Sequence, residues 1–330
     1  MKFLIAGFGS IGRRHFYNLK ALGEKDILFY RSVQSQLPTE DLAGYPVEHD
    51  LDAALAHRPD AVIVANPTAL HLDVAIPAAQ SGCHLLLEKP ISHNLDRVEE
   101  LDTAVNNSGC RVLVGFQFRF HPGLQKIVEI LSSGELGRPY SARAHWGEYL
   151  PEWHPWENYR RGYSARTNLG GGVLLTLCHP FDYLRWLLGE INEVWAFTSR
   201  SGELKIEVED QAEVGLEFAG GTMASVHLNY LQRPAAHWLE ILCMSGALHW
   251  DAGSQVLRVL RGKEGSEQEI PVPVGFDRND LFLAEMRHFI DVVSGRAEPQ
   301  CTLDDGHRAL DIVLAAHRSS TEGEKVKLAG

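Results

Sequence analysis

The stretch that decides the fold stands at the start of the chain: Lys2-Phe3-Leu4-Ile5-Ala6-Gly7-Phe8-Gly9-Ser10-Ile11-Gly12. Its first five residues form an apolar run of strand length. A helical pattern follows from Ile11 to Leu22, with Gly23 as its stop. The three glycines thus lie at fixed spacing in the turn between a buried strand and a helix.

This spacing has a physical reason. In such a turn the first glycine permits a tight bend, the second lets a pyrophosphate approach the backbone, and the third lets the helix pack close to the strand. The helix N-terminus then offers N–H groups and positive potential to the phosphates. We therefore predict that Gly7, Gly9, Ser10, Ile11 and Gly12 hold a dinucleotide.

The next hundred residues continue the same architecture. Short apolar runs at Ile27–Tyr30, Ala61–Ala65, Leu85–Leu87 and Arg111–Phe116 are separated by helical patterns. Because these runs do not alternate with polar residues, they are typical of a parallel sheet covered on both faces. We assign residues 1–120 to a Rossmann domain that binds NAD or NADP.

Beyond residue 120 the pattern changes. Ala212–Phe218 and Thr222–Tyr230 alternate apolar and polar residues on either side of a glycine turn, which indicates an antiparallel hairpin. Helices are predicted at Leu124–Leu131, from the glycine run 170–172 through Leu188, at Leu281–Val293, and at Leu303–Arg318 with Thr302 as N-cap. We assign residues 121–330 to a substrate-binding and oligomerisation domain of α/β class.

The residues after the second strand bear on the choice of cofactor. An NAD site commonly places an acid there to hold the ribose hydroxyls, whereas this chain has Arg31 and Ser32. An arginine suits a 2′-phosphate through charge-assisted hydrogen bonds. We favour NADP over NAD; the alternative is that Arg31 only stacks on adenine and selects neither.

Composition excludes several other classes. The 330 residues are 45% hydrophobic and 22% charged, with a net charge of −12, which disfavours nucleic acid and anionic membranes as partners. The five cysteines are scattered without a CxxC pair, so neither a disulfide framework nor a metal site is predicted. We expect a cytoplasmic protein without a signal peptide or membrane span.

Three further motifs accompany the glycine loop: Asn66-Pro67-Thr68-x-x-His71, Glu88-Lys89-Pro90, and Gly170-Gly171-Gly172-x(6)-His179-x-x-Asp182. Together, in this order, they resemble the Gfo/Idh/MocA family, which includes glucose–fructose oxidoreductase and inositol dehydrogenase. The resemblance covers nearly the whole chain.

The resemblance implies a Rossmann domain followed by a domain with an open, mainly antiparallel sheet that often forms homodimers or homotetramers. It implies an active site between the domains, with Lys89 near the nicotinamide and the reacting hydroxyl and His179 as acid or base. Asp182, one helical turn after His179, is expected on the same face. Asn66, Pro67, Thr68, His71 and Glu88 are implied in the cofactor site together with Lys89.

One position departs from the family. Many relatives carry an aspartate shortly before the histidine, where this chain has Thr176. A hydroxyl cannot stabilise an imidazolium as a carboxylate does, so the third catalytic role is open. Asp182 is one candidate for it.

An aromatic segment at 149–163 is the predicted substrate region. Trp153, Trp156 and Tyr159 suit the faces of a sugar ring, and the nearby Arg160, Arg161 and Arg166 suit a carboxylate or phosphate. The alternative is a loop pinned by its aromatic residues or buried between subunits. Similar segments in relatives associated with surface-sugar synthesis favour a nucleotide-linked or acidic sugar.

We therefore expect hydride transfer between nicotinamide and a sugar-like hydroxyl or carbonyl. Two alternatives stay open: an NAD-assisted glycoside hydrolase, and a non-catalytic NADP-binding protein.

Overall fold

The first part of the chain forms a parallel sheet with helices between its strands. The computed structural model describes residues 1–32, 40–155, 157–262 and 266–328. Phe3 to Ala6, in the first strand, are wholly buried, as a strand covered on both faces requires. The elements are β1 (Lys2–Ala6), α1 (Ser10–Ala21), β2 (Asp26–Tyr30), β3 (Val47–Glu48), α2 (Leu51–Ala56), β4 (Ala61–Val64), α3 (His71–Gln80), β5 (His84–Leu87), α4 (Val98–Ser108) and β6 (Val112–Val114).

The order of these strands brings several loops to one edge. The described strands run β3-β2-β1-β4-β5-β6, all parallel, so the order reverses between β1 and β4. In open α/β sheets ligands bind beyond the carboxyl ends of the strands at such a reversal. The turns after Ala6, Val64 and Leu87 all leave the sheet at that edge.

The second part of the chain is built on a larger sheet. Its described strands run β14-β13-β12-β11-β7-β10-β9-β8-β15, and all neighbours are antiparallel except β10 and β7. The elements are α5 (Pro122–Ser133), β7 (Pro139–Tyr149), α6 (Val173–Thr176), α7 (His179–Leu188), β8 (Ile191–Ser199), β9 (Gln211–Phe218), β10 (Met223–Asn229), β11 (Leu231–Cys243), β12 (Gly246–Asp251), β13 (Val256–Arg261), β14 (Ser266–Pro271), α8 (Arg278–Val293), α9 (Leu303–Glu322) and β15 (Val326–Lys327).

The chain divides into two compact units. The first comprises 1–117 and 277–307, and the second 118–276 and 308–330. Our sequence interpretation counted 277–307 with the second domain, whereas in the structure this segment packs with the first compact unit. The helix α8 packs on α1 of the first unit, where Asn279 Nδ2 donates to Asn18 Oδ1 at 2.8 Å and the rings of Phe282 and His15 lie 6.3 Å apart.

The predicted α/β class, with a parallel sheet followed by a mainly antiparallel one, is confirmed. The single helix expected from the glycine run through Leu188 is wrong, because the structure has two helices there. Gly170 and Gly172 adopt positive φ values of 77° and 112°, which no helix permits. Pro180 lacks an N–H and fits only the first turn of a helix, so α7 begins at His179.

Within the described residues, none of the helices has both the length and the apolar character needed to cross a membrane.

Candidate active site

The glycine loop between β1 and α1 has the geometry that a phosphate requires. Gly7 has φ of +94°, and a Cβ there would lie 2.7 Å from the carbonyl oxygen of Ala65. A Cβ on Gly12 would collide with the carbonyl oxygen of Gly7. A Cβ on Gly9, by contrast, would meet nothing within 4 Å. Two glycines are thus required by backbone crowding, while Gly9 keeps a face of the backbone accessible.

The N-terminus of α1 adds favourable potential to this loop. Ser10 and Ile11 open the helix, and its first turn contains no acidic residue. The partial positive charge of the helix end is therefore not offset by a carboxylate in that turn. The loop fits a dinucleotide pyrophosphate.

Arg31 and Ser32 follow β2. The Arg31 N–H donates to the Glu48 carbonyl at 3.0 Å, and its own carbonyl accepts from His49 Nδ1 at 2.7 Å. Only 5% of Arg31 is exposed, and its burial, together with the charge of Arg13, lowers the pKa of its guanidinium. Because the buried guanidinium of Arg31 lies within the electrostatic influence of Arg13, the two positive charges favour an anion at this place.

Sequence reasoning missed Arg13 and Asp41 beside this site. Arg13 Nη1 donates to Asp41 Oδ2 at 2.6 Å, and the hydroxyl of Tyr17 donates to Asp41 Oδ1 at 2.8 Å. Asp41 lies well after the end of β2 in the sequence, and its carboxylate accepts hydrogen bonds from two side chains of helix α1. The signal that could have identified Arg13 is its position directly after Gly12, at the start of helix α1.

His71 ties two loops of the sheet edge together. Its Nδ1 lies 2.9 Å from the Pro90 carbonyl oxygen and its Nε2 lies 3.0 Å from the Asn66 carbonyl oxygen. Only 1% of the residue is exposed, and burial lowers its pKa. The resemblance placed His71 among cofactor-binding residues, but both ring nitrogens are directed at the main chain. It therefore positions the loops that follow β4 and β5.

The other residues of the loop after β4 lie beside the contacts that His71 makes. The side-chain amide of Asn66 donates to the Leu70 carbonyl at 2.7 Å. Pro67 precedes a short 3₁₀ turn that begins at Thr68, which is 3% exposed. The backbone of this loop is thus held both by the Asn66 side chain and by the His71 ring.

Glu88 is a buried carboxylate directly before Lys89. Its Oε1 accepts from His15 Nε2 at 2.7 Å. Burial alone would raise the pKa of Glu88, but the hydrogen bond from His15, with the nearby Lys89 and His71, brings it below the usual range. The Glu88 carboxyl group therefore stays ionised.

In the second unit, His179 is the first residue of α7 and is 2% exposed. Its ring lies edge-on to Phe118, with centroids 5.0 Å apart, and against Trp146 at 5.4 Å. These contacts fix the plane of the imidazole. A histidine held in this way suits proton transfer in a defined direction.

Asp182 forms a buried ion pair. Both its oxygens accept from Arg119 Nε at 3.1 Å, and Oδ1 also accepts from Nη2 at 2.6 Å. The side chains are 4% and 2% exposed. A carboxylate held by a guanidinium in this geometry favours a role in fixing α7 over proton transfer, which bears on our assignment of Asp182 to catalysis.

Thr176, at the position where many relatives carry an aspartate, is a neighbour of the buried Tyr230. The Tyr230 hydroxyl donates to the Gly172 carbonyl at 2.8 Å. Burial raises the pKa of Tyr230 far above its usual value, and its proton is retained. Beside Thr176, the neutral Tyr230 hydroxyl thus bonds to the glycine run.

The aromatic segment is partly anchored within its own unit. Tyr159 Oη and Arg160 Nε both donate to the Leu204 carbonyl at 3.1 Å, and the Arg160 guanidinium stacks on the Tyr159 ring. Trp153 packs edge-on to Tyr230 at 5.4 Å. Arg161 is exposed and Arg166 half-buried, while Trp156 lies outside the described residues. The contacts of Tyr159 and Arg160 therefore support the alternative that this segment is a loop pinned by its aromatic residues.

Comparison with known proteins places these features in a family. A model described as an oxidoreductase family with an NAD-binding Rossmann fold matches residues 1–116, and the GFO/IDH/MocA C-terminal domain matches residues 124–249. The chain belongs to the Gfo/Idh/MocA family of oxidoreductases. The resemblance inferred from the motifs is confirmed.

Similar proteins and solved structures cover nearly the whole chain. A myo-inositol 2-dehydrogenase from Thermotoga maritima is 27% identical over 354 residues, covering 99% of this chain and 98% of its own. Levoglucosan dehydrogenase, solved with NADH and levoglucosan, has a TM-score of 0.88 at 19% identity over 99% of both chains. The WlbA dehydrogenase from Bordetella pertussis, solved with NADH and UDP-GlcNAcA, has a TM-score of 0.84 at 23% identity, covering 100% and 99%. The two structures share the fold.

Proposed function

We propose that this oxidoreductase transfers hydride between a nicotinamide cofactor and a CH–OH or carbonyl group of a sugar or polyol. The observation that carries the proposal is the glycine loop, where backbone crowding requires Gly7 and Gly12 while Gly9 faces open space. The names of the relatives support the sugar class, since they include an inositol dehydrogenase and an anhydrofructose reductase.

The cofactor would be held by the first unit. Gly9 and the start of α1 would contact the pyrophosphate, and Asn66, Pro67 and Thr68 would line the same edge of the sheet. When bound, the nicotinamide accepts or supplies the hydride. All other chemistry falls to side chains of the protein.

We assign proton transfer to His179 and charge stabilisation to Lys89. In oxidation His179 takes the hydroxyl proton, and Lys89 donates a hydrogen bond to the developing alkoxide. In reduction Lys89 polarises the carbonyl and His179 returns the proton. The lowered pKa of Glu88 supports this role for Lys89, because the ionised Glu88 carboxylate supplies negative charge next to Lys89 in the chain.

Substituting each of these two residues is the direct test of the assignment. Lys89→Ala and His179→Ala should each lower turnover by roughly 10²–10⁴-fold, the usual range for positioned acid–base groups. Cofactor affinity and melting temperature serve as controls and should change much less for His179→Ala. Near-parental turnover of His179→Ala on an identified substrate would contradict the assignment.

We propose NADP as the preferred cofactor. Arg31, with Arg13 near it, offers positive charge where an acid would repel a 2′-phosphate. Arg31→Asp should therefore reverse the preference, measured by calorimetric titration of NADPH and NADH. Equal affinities in the parent protein would overturn the proposal.

For the substrate we propose a ring with an anionic group, either an acidic or a nucleotide-linked sugar. Trp153 offers an aromatic face, and Arg161 and Arg166 offer cations outside the Leu204 anchor. The test of this substrate class is a screen of nucleotide sugars, uronates, neutral sugars, inositols and small aldehydes, in which turnover is measured by the absorbance of NADPH. Good turnover of small aldehydes with no ring substrate accepted would reject it.

The same screen bears on the alternatives. Tight NADPH binding without turnover of any substrate would favour the non-catalytic protein, for which the neutral Thr176 in place of an acid is the supporting observation. Glycoside cleavage without net cofactor consumption would favour the hydrolase. The cytoplasmic location and the homodimer or homotetramer stay predictions from the sequence.

A further inference from the structure

His237, on β11, is a buried imidazole that the proposed reaction does not use. It is 8% exposed, and the next two residues on the same face of the strand, Leu239 and Ile241, are apolar and wholly buried. Burying a polar group costs free energy unless a hydrogen bond compensates it. The partners of His237 therefore indicate what a histidine does at this place.

The hydrogen-bond partner of His237 is Tyr183 on α7. The hydroxyl oxygen of Tyr183 lies 3.3 Å from His237 Nε2, and Tyr183 is 0% exposed. Tyr183 comes four residues after His179, so both side chains leave the same side of the helix. The ion pair of Arg119 and Asp182 holds α7 one residue earlier. The bond from Tyr183 thus supplies a second point of attachment, which restricts rotation of the helix.

His237 also supports the indole of Trp146. The two residues are directly opposite in the pair of strands β11 and β7, and their rings are stacked with centroids 4.3 Å apart and planes 5° from parallel. Trp146 Nε1 donates to Glu148 Oε1 at 2.9 Å. The indole that the His179 ring contacts at 5.4 Å is therefore held by a stacked ring and by its own hydrogen bond.

Phe118 closes this group of rings. It lies edge-on to His179 at 5.0 Å, to His237 at 4.9 Å and to Trp146 at 5.5 Å. Side chains in a protein interior are close-packed, so a displacement of one ring moves its neighbours. A change at His237 therefore reaches His179 through Trp146, through Phe118 and through Tyr183.

We propose that His237 is a positioning residue for His179. Its hydrogen bond to Tyr183 fixes the rotation of α7, and its stacking on Trp146 fixes the surface against which the His179 ring packs. The chemical role given to His179 rests on the proposed function; the placement of its ring does not.

The first measurement is the turnover of Tyr183→Phe and His237→Phe on the substrate found by the screen. Each variant keeps an aromatic ring and removes the hydrogen bond. Because a misplacement of about 1 Å can cost 10²-fold, kcat should fall by roughly 10-fold to 10²-fold while KM stays within about twofold of the parent. Both variants delete the same bond, so the double variant should lose little more than the more impaired single one. A merely structural role would lower the melting temperature without this split between kcat and KM.

His145→Phe is the matched control. His145 directly precedes Trp146 in β7 and so lies on the opposite face of the sheet. Its Nε2 donates to Gln232 Oε1 at 2.6 Å, and its ring stacks on Trp238 with planes 3° from parallel. The control thus loses the same kind of bond from a stacked histidine, and it should lower the melting temperature while leaving kcat unchanged.

The second measurement places the His179 ring without any need for turnover. Histidine is labelled with ¹³C at Cε1, and the NMR signal of His179 is assigned by its loss in His179→Ala. Because this ring lies edge-on to Phe118, its signal responds to small changes in ring position. The signal should shift in His237→Phe and in Tyr183→Phe but not in His145→Phe. Tyr183→Phe removes a single oxygen and keeps the test decisive if His237→Phe does not fold.

An unshifted His179 signal would overturn the inference. Parental kcat in both phenylalanine variants, in an enzyme that His179→Ala inactivates, would overturn it as well. A shifted signal together with near-parental turnover of His179→Ala, or with no turnover on any substrate, would support the placement of the ring by His237 while counting against the proposed function alone.

Discussion

Arg119→Met should destabilise the second unit strongly, because it leaves Asp182 buried without its guanidinium. The hydrogen bonds of the pair include contacts of 3.1, 3.1 and 2.6 Å, and neither side chain is more than 4% exposed. Breaking a buried ion pair by removing one partner costs about 3–5 kcal/mol. For a unit of this size each kcal/mol lowers the melting temperature by about 2–4 °C, which gives a fall of roughly 6–20 °C.

The double variant Arg119→Met with Asp182→Leu distinguishes the effect of the ion pair on stability from a role of Asp182 in proton transfer. Replacing both charges by apolar side chains removes the uncompensated carboxylate, so most of the lost stability should return. If Asp182 only fixes α7, this variant should also keep most of its turnover. If Asp182 takes part in proton transfer, the variant should melt like the parent and still lose roughly 10²–10⁴-fold in turnover.

The assay is a thermal melt by circular dichroism at one pH and ionic strength, paired with turnover on the substrate found by the screen. Arg258→Met is the matched control, because Arg258 forms exposed ion pairs with Glu267 and Glu269 and exposed pairs contribute little. A melting temperature of Arg119→Met within about 1 °C of the parent would refute the reasoning, since it would mean that Asp182 finds other compensation.

Two further predictions concern the glycine run before α6. Gly172→Ala should cost about 1–3 kcal/mol, because φ is +112° and the new Cβ would lie 2.6 Å from Glu209 Oε2; Gly189→Ala, at φ of +95° with nothing within 4 Å, should cost less in the same chemical-denaturation series. Burial raises the pKa of Glu209 to about 7, so its contribution to stability is full below its unfolded pKa and is lost as the pH rises through about 7. Glu209→Gln should remove that loss, on the order of 2–3 kcal/mol, and unchanged pH dependence of unfolding would contradict it.

The Rossmann unit could be predicted from the sequence because its signals are local. The strand, the glycine spacing and the helix of the first turn all lie within about two dozen residues, and each is fixed by steric rules that involve few neighbours. The position of α8 could not be predicted in this way. Its amphipathic pattern shows that one face is buried, but not that the partner is α1, more than 250 residues earlier.

The same limit applied to the pairs that define the site. His15 and Glu88 are 73 positions apart, and Arg119 and Asp182 are 63 apart. Histidine, arginine and acidic residues are common on protein surfaces, and only the folded chain brings each of these acids to its partner. Sequence analysis therefore identified Glu88 and Asp182 by motif, while their physical roles depended on partners that no motif included.

Thr176 shows how such a partner changes an interpretation. From the sequence, a hydroxyl in place of an aspartate predicts a missing charge beside His179. In the structure Thr176 neighbours Tyr230, whose neutral hydroxyl donates to the Gly172 carbonyl in the turn before α6. An aspartate introduced there would bury a negative charge against a tyrosine that cannot readily ionise, and Glu209 lies close to the same glycine. The departure at Thr176 is thus matched by its surroundings, and any proton transfer in this unit has to depend on His179 without a carboxylate at that position.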